Sequence, residues 1–332
     1  AIIVGDPKQL PPTTFFESRL EGDADFEELE DMESLLEDCL ALPMPESHLE
    51  WHYRSRHESL ITFSNNVYYG NRMLTFPSPN DVESKVGFRR VDGVYDKGGK
   101  RTNPPEAEAV VEEAIKRISE GRHSVGIVAF SKAQQEKIDD LLWARLDKDE
   151  GLYSMAVNGR EPLFVKNLEN VQGDERDVIL FSVGYGPDAS GKVSNNFGPI
   201  NKAGGGRRLN VAVSRARSEM VVFSSMRAEQ IRLNPGTPDG VRHLKRFLEF
   251  AQNGGRFGPA GGKTVRAECS PMAASIAAAL AEKGYETRFD VGGSGFRIDV
   301  ALIDPDKKDR YVLGIMADGE NYRDSGNTRD RE

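Results

Sequence analysis

Three short segments of the sequence combine residue types that could bind phosphate and assist its transfer. The first, GDPKQLPP at residues 5–12, follows an apolar run, and its Gln9 could reach a nucleotide phosphate or the water that attacks it. The second is VQGDERD at residues 171–177, directly before another apolar run. The third, RRLNVAVSRAR at residues 207–217, contains four arginines, whose guanidinium groups suit bidentate phosphate binding.

The third segment is predicted to form a short helix over residues 209–217. On such a helix Arg208, Ala212 and Arg215 would share one face, and the apolar residues between them would share another. One face would then pack against the protein, while the other would present guanidinium groups to a phosphate.

Short β-branched apolar runs bounded by turn residues predict the strands that position these segments. The runs lie at residues 1–5, 87–91, 124–130, 163–168, 178–184 and 219–224. Helical patterns lie at residues 26–40, 58–67, 105–120, 132–146 and 241–252. Strands that alternate with helices at this spacing predict an α/β fold, with a parallel sheet covered on both faces.

A glycine-rich stretch divides the chain. NGGRFGPAGGK at residues 253–263 contains five glycines and no periodicity, which is typical of an interdomain linker. Beyond it, a helix over 270–283 and strands over 297–303 and 310–315 predict a second, small α/β unit. At roughly 100–200 residues per domain, a chain of 332 residues has room for both domains.

Together with YRSRH at residues 53–57, the three segments resemble the superfamily 1 helicases in their order and spacing. The resemblance is to the branch of the nonsense-mediated-decay helicase and its DNA-acting bacterial relatives, and it covers residues 1–250. It implies a RecA-like parallel sheet, the second half of a P-loop NTPase fold, at residues 51–252. Residues 1–50 would be the rear edge of the first RecA-like domain and a connector.

The same resemblance implies roles for individual residues. Gln9 would sense the γ-phosphate of ATP, while Arg54 and Arg215 would stabilise the charge on the transferring phosphoryl group. Phosphoryl transfer depends mainly on positioning and positive charge, here with ATP and Mg²⁺ as cofactors.

Five further residues would bind or sense the nucleotide: Gly5, Asp6, Gln172, Gly173 and Glu175. Glu175 would contact the ribose. Gln172 and Gly173 would couple the nucleotide to the bound nucleic-acid strand.

The chain departs from the family in two motifs that ATP hydrolysis requires. It has no G-x-x-x-x-G-K-[ST] phosphate loop, because GKT at residues 262–264 has Phe257 where the first glycine belongs. The metal-binding Asp-Glu pair expected upstream of Gln9 is absent as well. We therefore expect the N-terminal RecA-like domain of the same parent chain to be a partner, and we expect no ATP hydrolysis by this fragment alone.

The tail, residues 264–332, resembles the restriction-endonuclease-like module, akin to the very-short-patch-repair nuclease, that often trails such helicases. The resemblance rests on GFRID at residues 295–299 and on YVLGI at residues 311–315, followed by Asp318 and Gly319. It implies a module, predicted to be truncated, whose carboxylates bind Mg²⁺ with Asp299 as the first ligand.

The second carboxylate of that site is not where the family usually has it. Met316 stands at the position of a glutamate, and a thioether cannot replace a carboxylate for a hard cation. Two alternatives remain open. Either the module is catalytically inactive and kept for DNA docking, which we favour, or Asp318 and Glu320 supply the carboxylates.

The composition permits a nucleic-acid partner despite a net charge of −9. The first 50 residues hold 14 acidic and 2 basic residues, so the rest of the chain is mildly basic. No apolar run approaches the roughly 18 residues of a membrane span, so we expect no membrane partner. The sequence predicts a cytoplasmic ATP-dependent helicase fragment, with DNA favoured over RNA; the alternative is a non-catalytic nucleic-acid-binding module.

Overall fold

A computed structural model describes residues 2–11, 34–80, 82–257, 270–293 and 296–317. In these residues the helices are α1 Leu35–Ala41, α2 Ser59–Tyr68, α3 Pro104–Glu120, α4 Lys132–Leu146, α5 Glu150–Val157, α6 Gly205–Val213, α7 Asp239–Gln252 and α8 Pro271–Glu282. The strands are β1 Val86–Arg90, β2 Val125–Ala129, β3 Phe164–Asn167, β4 Arg176–Ser182, β5 Ala216–Ser224, β6 Thr287–Val291, β7 Ile298–Ile303 and β8 Tyr311–Ile315.

Strands β1 to β5 form one sheet in the order β1-β5-β4-β2-β3, and every neighbouring pair is parallel. Every residue of β2 is buried, as an apolar run in the middle of a sheet requires. Helices α2, α6 and α7 pack their apolar side chains on one face, and α3, α4 and α5 pack theirs on the other. The predicted parallel α/β sheet is thus confirmed, and it fits a RecA-like fold.

The carboxyl end of α6 differs from the prediction. The helix ends at Val213, and residues 216–224 continue as β5 between β1 and β4. The predicted helix over 209–217 is therefore wrong in its second half, because the sheet takes up the residues that follow Ser214. Arg215 lies in the turn between helix and strand, so it does not share a helix face with Arg208 as predicted.

The first apolar run also differs. Residues 2–5 form no strand, and the side chains of Ile2 and Val4 are 92% and 77% exposed. A strand requires a ladder partner, and none of the described strands pairs with this segment. The helix predicted at residues 26–40 is present as α1 in its last part, and residues 26–33 lie outside the described residues.

Strands β6, β7 and β8 form a separate antiparallel sheet in that order, with α8 packed through Ala273 and Ala277 against Val300 of β7. The predicted helix and two strands of the tail are confirmed, and β6 is an addition. This unit contacts the larger one, since the Tyr311 amide donates to the Pro79 carbonyl at 2.7 Å.

Among the helices of the described residues, none combines the length and the apolar character that crossing a membrane requires.

Candidate nucleotide site

The turn between α6 and β5 buries an arginine without an acidic partner. The Arg215 side chain is 2% exposed, and its guanidinium donates to the Val211 carbonyl at 2.7 Å and to Ser214 Oγ at 3.0 Å. Of the carboxylates in the described residues, none forms an ion pair with it. Burial, and then the charge of Arg54, lowers the pKa of Arg215 to about 10.

A buried cation with only neutral hydrogen-bond partners is costly, because its lost hydration is not replaced by a directly bonded opposite charge; Glu175 and Asp174 act on Arg215 only at longer range. An anion placed beside Arg215 would remove that cost. The chemistry of this edge of the sheet therefore fits a phosphate group.

Arg54 lies at the same edge, paired with an acid. Its Nε atom is 2.7 Å from Glu175 Oε2, and the other oxygen of Glu175 is 3.5 Å from Arg217. Glu175 directly precedes β4, so the strand fixes the position of the carboxylate. The resemblance assigned Glu175 to a contact with the ribose. In this structure its carboxylate interacts with two arginines, Arg54 and Arg217.

Arg217 is a member of this edge that the sequence analysis did not single out. On β5 it donates to Glu161, Ser124 Oγ and Asp177 Oδ1, the last two at 3.1 Å. Its hydrogen bonds lower the pKa of Glu161 to about 2. Its place in the arginine-rich segment 207–217, directly before the apolar run of β5, was a signal for it.

The loop that carries Gln9 is held by side chains of the larger unit. Within the loop, Gln9 Nε2 donates to Asp6 Oδ2 at 2.8 Å, and the Gln9 amide donates to the Asp6 carbonyl at 3.1 Å. A β-carbon on Gly5 would lie 2.8 Å from a methyl carbon of Leu36 in α1, so the backbone approaches α1 closely there.

Three side chains from three separate segments of the chain donate hydrogen bonds to this loop. They are Tyr69 to Asp6 Oδ2 at 2.6 Å, Asn210 to the Lys8 carbonyl at 2.8 Å and Gln172 to the Leu10 carbonyl at 3.1 Å. Tyr69 and Asn210 were not predicted. Gln172 was predicted as a site residue, but for coupling the nucleotide to the nucleic-acid strand and not for this contact. The next residue, Gly173, has a φ of +88°, which favours glycine.

Tyr69 connects the two parts of the site. Its hydroxyl donates to Asp6 in the Gln9 loop and accepts a hydrogen bond from Asn210 of α6, and the next residue of α6, Val211, accepts from Arg215. The structure thus brings Gln9, Arg54 and Arg215 to one neighbourhood.

Asp299 belongs to the other sheet. Its carboxylate accepts a hydrogen bond from the Ala317 amide at 2.7 Å. No group of three or more histidine, cysteine or acidic side chains that could hold a metal ion occurs within residues 2–11, 34–80, 82–257, 270–293 and 296–317. Asp318 and Glu320, the predicted substitutes, lie outside the described residues.

The parallel sheet and its arginine-lined edge define a RecA-like α/β domain. A sequence model described as an AAA domain matches residues 29–227, and the chain belongs to this family.

Several curated relatives are named as helicases. The chain is 35% identical over 272 residues to the uncharacterized ATP-dependent helicase MG140 of Mycoplasma genitalium, and 36% identical over 265 residues to the homolog of that protein in Mycoplasma pneumoniae. Each alignment covers 76% of this chain and 23% of the relative, so the chain spans about a quarter of their length. It is also 27% identical over 243 residues to the probable helicase senataxin of Mus musculus, covering 68% of this chain and 8% of senataxin.

A solved structure, the C-terminal domain of a possible DNA helicase from Lactobacillus, covers 52% of this chain and 86% of its own. The identity is 15% and the TM-score 0.31, so the assignment of the fold rests on the strand order alone.

Proposed function

We propose that this chain is the C-terminal part of an ATP-dependent superfamily 1 helicase and supplies one wall of its ATP site. Gln9, Arg54 and Arg215 are the residues that face the reacting phosphate. The observation that carries the proposal is the buried Arg215 guanidinium, which lacks an acidic partner among the described residues and lies beside a second arginine.

The residues fit the triphosphate of ATP. Arg215 is fixed by neutral acceptors, so a phosphate group would be a directly hydrogen-bonded opposite charge that the described residues do not provide. Arg54 already forms an ion pair with Glu175, and it would exchange part of that contact for a contact with a phosphate oxygen. ATP supplies the phosphoryl group, and the two arginines stabilise the charge that develops on it.

No cluster of acidic, histidine or cysteine side chains in the described part of the chain could hold a metal ion, so the ligands of Mg²⁺ would come from the opposite wall and from ATP.

The N-terminal RecA-like domain of the parent protein would form the opposite wall and carry the phosphate loop, so this chain alone would not hydrolyse ATP. Two features support such a partner. The apolar side chains of Ile2 and Val4 are exposed beside the site, and the Mycoplasma relatives are much longer than this chain.

Closure of the two domains would move a bound nucleic-acid strand, gripped mainly through its phosphates. DNA is the proposed substrate, with RNA as the alternative.

For the tail we propose a restriction-endonuclease-like module, at residues 264–332, that has lost its nuclease activity and docks DNA. Its support is the placement of Asp299 in β7 together with an exposed Met316 where a second metal ligand would be needed. The domain boundaries at residues 50, 252 and 263 belong to this proposal.

The test of the ATP site is the ATPase activity of the full-length parent protein. Arg215→Ala should reduce kcat by about 10³, as removal of a charge-stabilising group at a phosphoryl-transfer site does. Arg122→Ala is the matched control, because Arg122 is an exposed arginine outside the site. Wild-type turnover by Arg215→Ala would reject the proposed role.

A further inference from the structure

We infer that Tyr69 and Asn210 are positioning residues for Gln9, which they hold through Asp6 and the Lys8 carbonyl. The inference rests on the proposed function, because it concerns the group that would face the attacking water. Neither residue belongs to the site that the sequence analysis assigned.

The contacts form a continuous chain of hydrogen bonds. Asn210 Nδ2 lies 2.9 Å from the Tyr69 hydroxyl and 2.8 Å from the Lys8 carbonyl, and the Tyr69 hydroxyl lies 2.6 Å from Asp6 Oδ2. Asn210 is 1% exposed on α6, the helix that leads directly into the Arg215 turn. A shift of α6 would therefore move the arginine and the Gln9 loop together.

Asp6 fixes which end of the Gln9 amide is available. Its carboxylate accepts from Gln9 Nε2 and from the Lys8 amide, each at 2.8 Å. Because an ionised carboxylate can only accept, the nitrogen of the Gln9 amide must face Asp6. Within the described residues no group donates to Gln9 Oε1, so this oxygen can accept a hydrogen bond from water.

The arrangement determines which atom of the Gln9 side chain can act on the reaction. With one N–H of its nitrogen held by Asp6, the amide presents its oxygen as an acceptor that can orient an attacking water. Tyr69 keeps its proton for this task. Burial, and then the hydrogen bond to Asp6, raises the pKa of Tyr69 well above its usual value.

The chain offers a matched control in the preceding residue. The Tyr68 hydroxyl is buried, and no group in the described part of the chain forms a hydrogen bond with it. Tyr68→Phe and Tyr69→Phe therefore remove the same atom from adjacent positions, and only the second removal breaks a contact to the Gln9 loop.

The first experiment uses this chain and does not depend on ATP. Hydrogen exchange of the Gln9 amide, which donates to the Asp6 carbonyl, is measured by NMR in the wild type and in both variants. Tyr69→Phe should accelerate exchange about tenfold, as loss of a hydrogen bond to a charged group predicts, and Tyr68→Phe should leave it unchanged. Equal exchange in both variants would overturn the inference.

The second experiment uses the ATPase of the full-length parent in a double-mutant cycle. Tyr69→Phe should lower kcat about tenfold with KM for ATP unchanged, and it should cause no additional loss in a Gln9→Ala background. An equal loss in both backgrounds would mean that Tyr69 supports the fold in general and would overturn the inference. A wild-type kcat for Gln9→Ala would instead reject the proposed role of Gln9, while the exchange result would stand.

Discussion

Arg54 Nε lies 2.7 Å from Glu175 Oε2, so an arginine proposed to bind phosphate forms an ion pair with an acid of its own chain. The carboxylate and a phosphate group would compete for one guanidinium. Glu175 therefore limits the affinity of this wall for anions while keeping Arg54 in place.

The first prediction follows from that competition. Glu175→Gln should raise the affinity of this chain for inorganic tripolyphosphate about three- to tenfold, because one negative charge beside Arg54 and Arg217 is removed. Isothermal titration calorimetry at low salt measures the effect. The control is Glu136→Gln, which removes a charge 3.7 Å from Lys132 on the surface of α4. An unchanged or weaker affinity in Glu175→Gln would contradict the competition.

A second prediction concerns Glu106 of α3, which is fully buried beneath the sheet. Its carboxylate accepts from the Gly184 amide at 2.6 Å, from Ser182 Oγ at 2.9 Å and from the Ser225 amide at 3.0 Å. Burial nevertheless dominates and raises the pKa of Glu106 from 4.5 to about 7. Between these two pH values the folded protein binds more protons than the unfolded one, so the free energy of unfolding should fall as the pH rises.

Urea denaturation at pH 5 and pH 7.5 checks this dependence. The wild type should lose stability across the interval, and Glu106→Gln should flatten the loss. Glu108 is exposed and lies two residues after Glu106 on α3. The control Glu108→Gln should therefore keep the pH dependence of stability that the wild type shows. If the free energy of unfolding changes equally with pH in all three proteins, Glu106 does not titrate in this range.

The third prediction tests the packing of strand β2 against the edge strand β3. A β-carbon on Gly126 of β2 would lie 2.5 Å from the ring of Phe164 on the neighbouring strand. Gly126→Ala should therefore destabilise the chain by about 1–3 kcal/mol, the usual effect of overpacking. Gly87→Ala in β1 is the control, because its β-carbon would meet a carbonyl oxygen at 3.9 Å. Thermal or urea unfolding distinguishes them, and equal stabilities would place Phe164 elsewhere.

The sequence was sufficient to predict the parallel sheet, because β2 and β4 are short apolar runs flanked by helices with a clear apolar face. It could not locate the end of α6. The apolar residues 209–213 fit a helix and those at 220–223 fit a strand, so the boundary between them depends on which residues pair with β1 and β4. Residues 2–5 were mistaken for a strand because their composition is right and only the ladder partner is lacking.

The candidate site was predictable where several residues form a motif and unpredictable where one residue acts alone. Arg54, Arg215 and Gln9 stand in recognisable segments, and the structure brings these segments together. Tyr69 and Asn210 form their hydrogen bond across 141 residues of sequence. Neither has a pattern around it that would indicate this contact, which exists only because α2 and α6 pack on the same face of the sheet.

The last prediction concerns the tail. Hydrolysis of a phosphodiester by a restriction-type site needs at least two carboxylates on Mg²⁺, and Asp299 has no such companion among the described residues. We expect this chain to bind a DNA duplex in a gel-shift assay and to leave it uncut in Mg²⁺ or Mn²⁺. Asp299→Asn should then change neither result. If the wild type cuts DNA and Asp299→Asn does not, Asp299 is a metal ligand after all, and Asp318 and Glu320 are the residues to substitute next. Cutting that survives Asp299→Asn would remove this residue from the site and reject the resemblance on which its assignment depends.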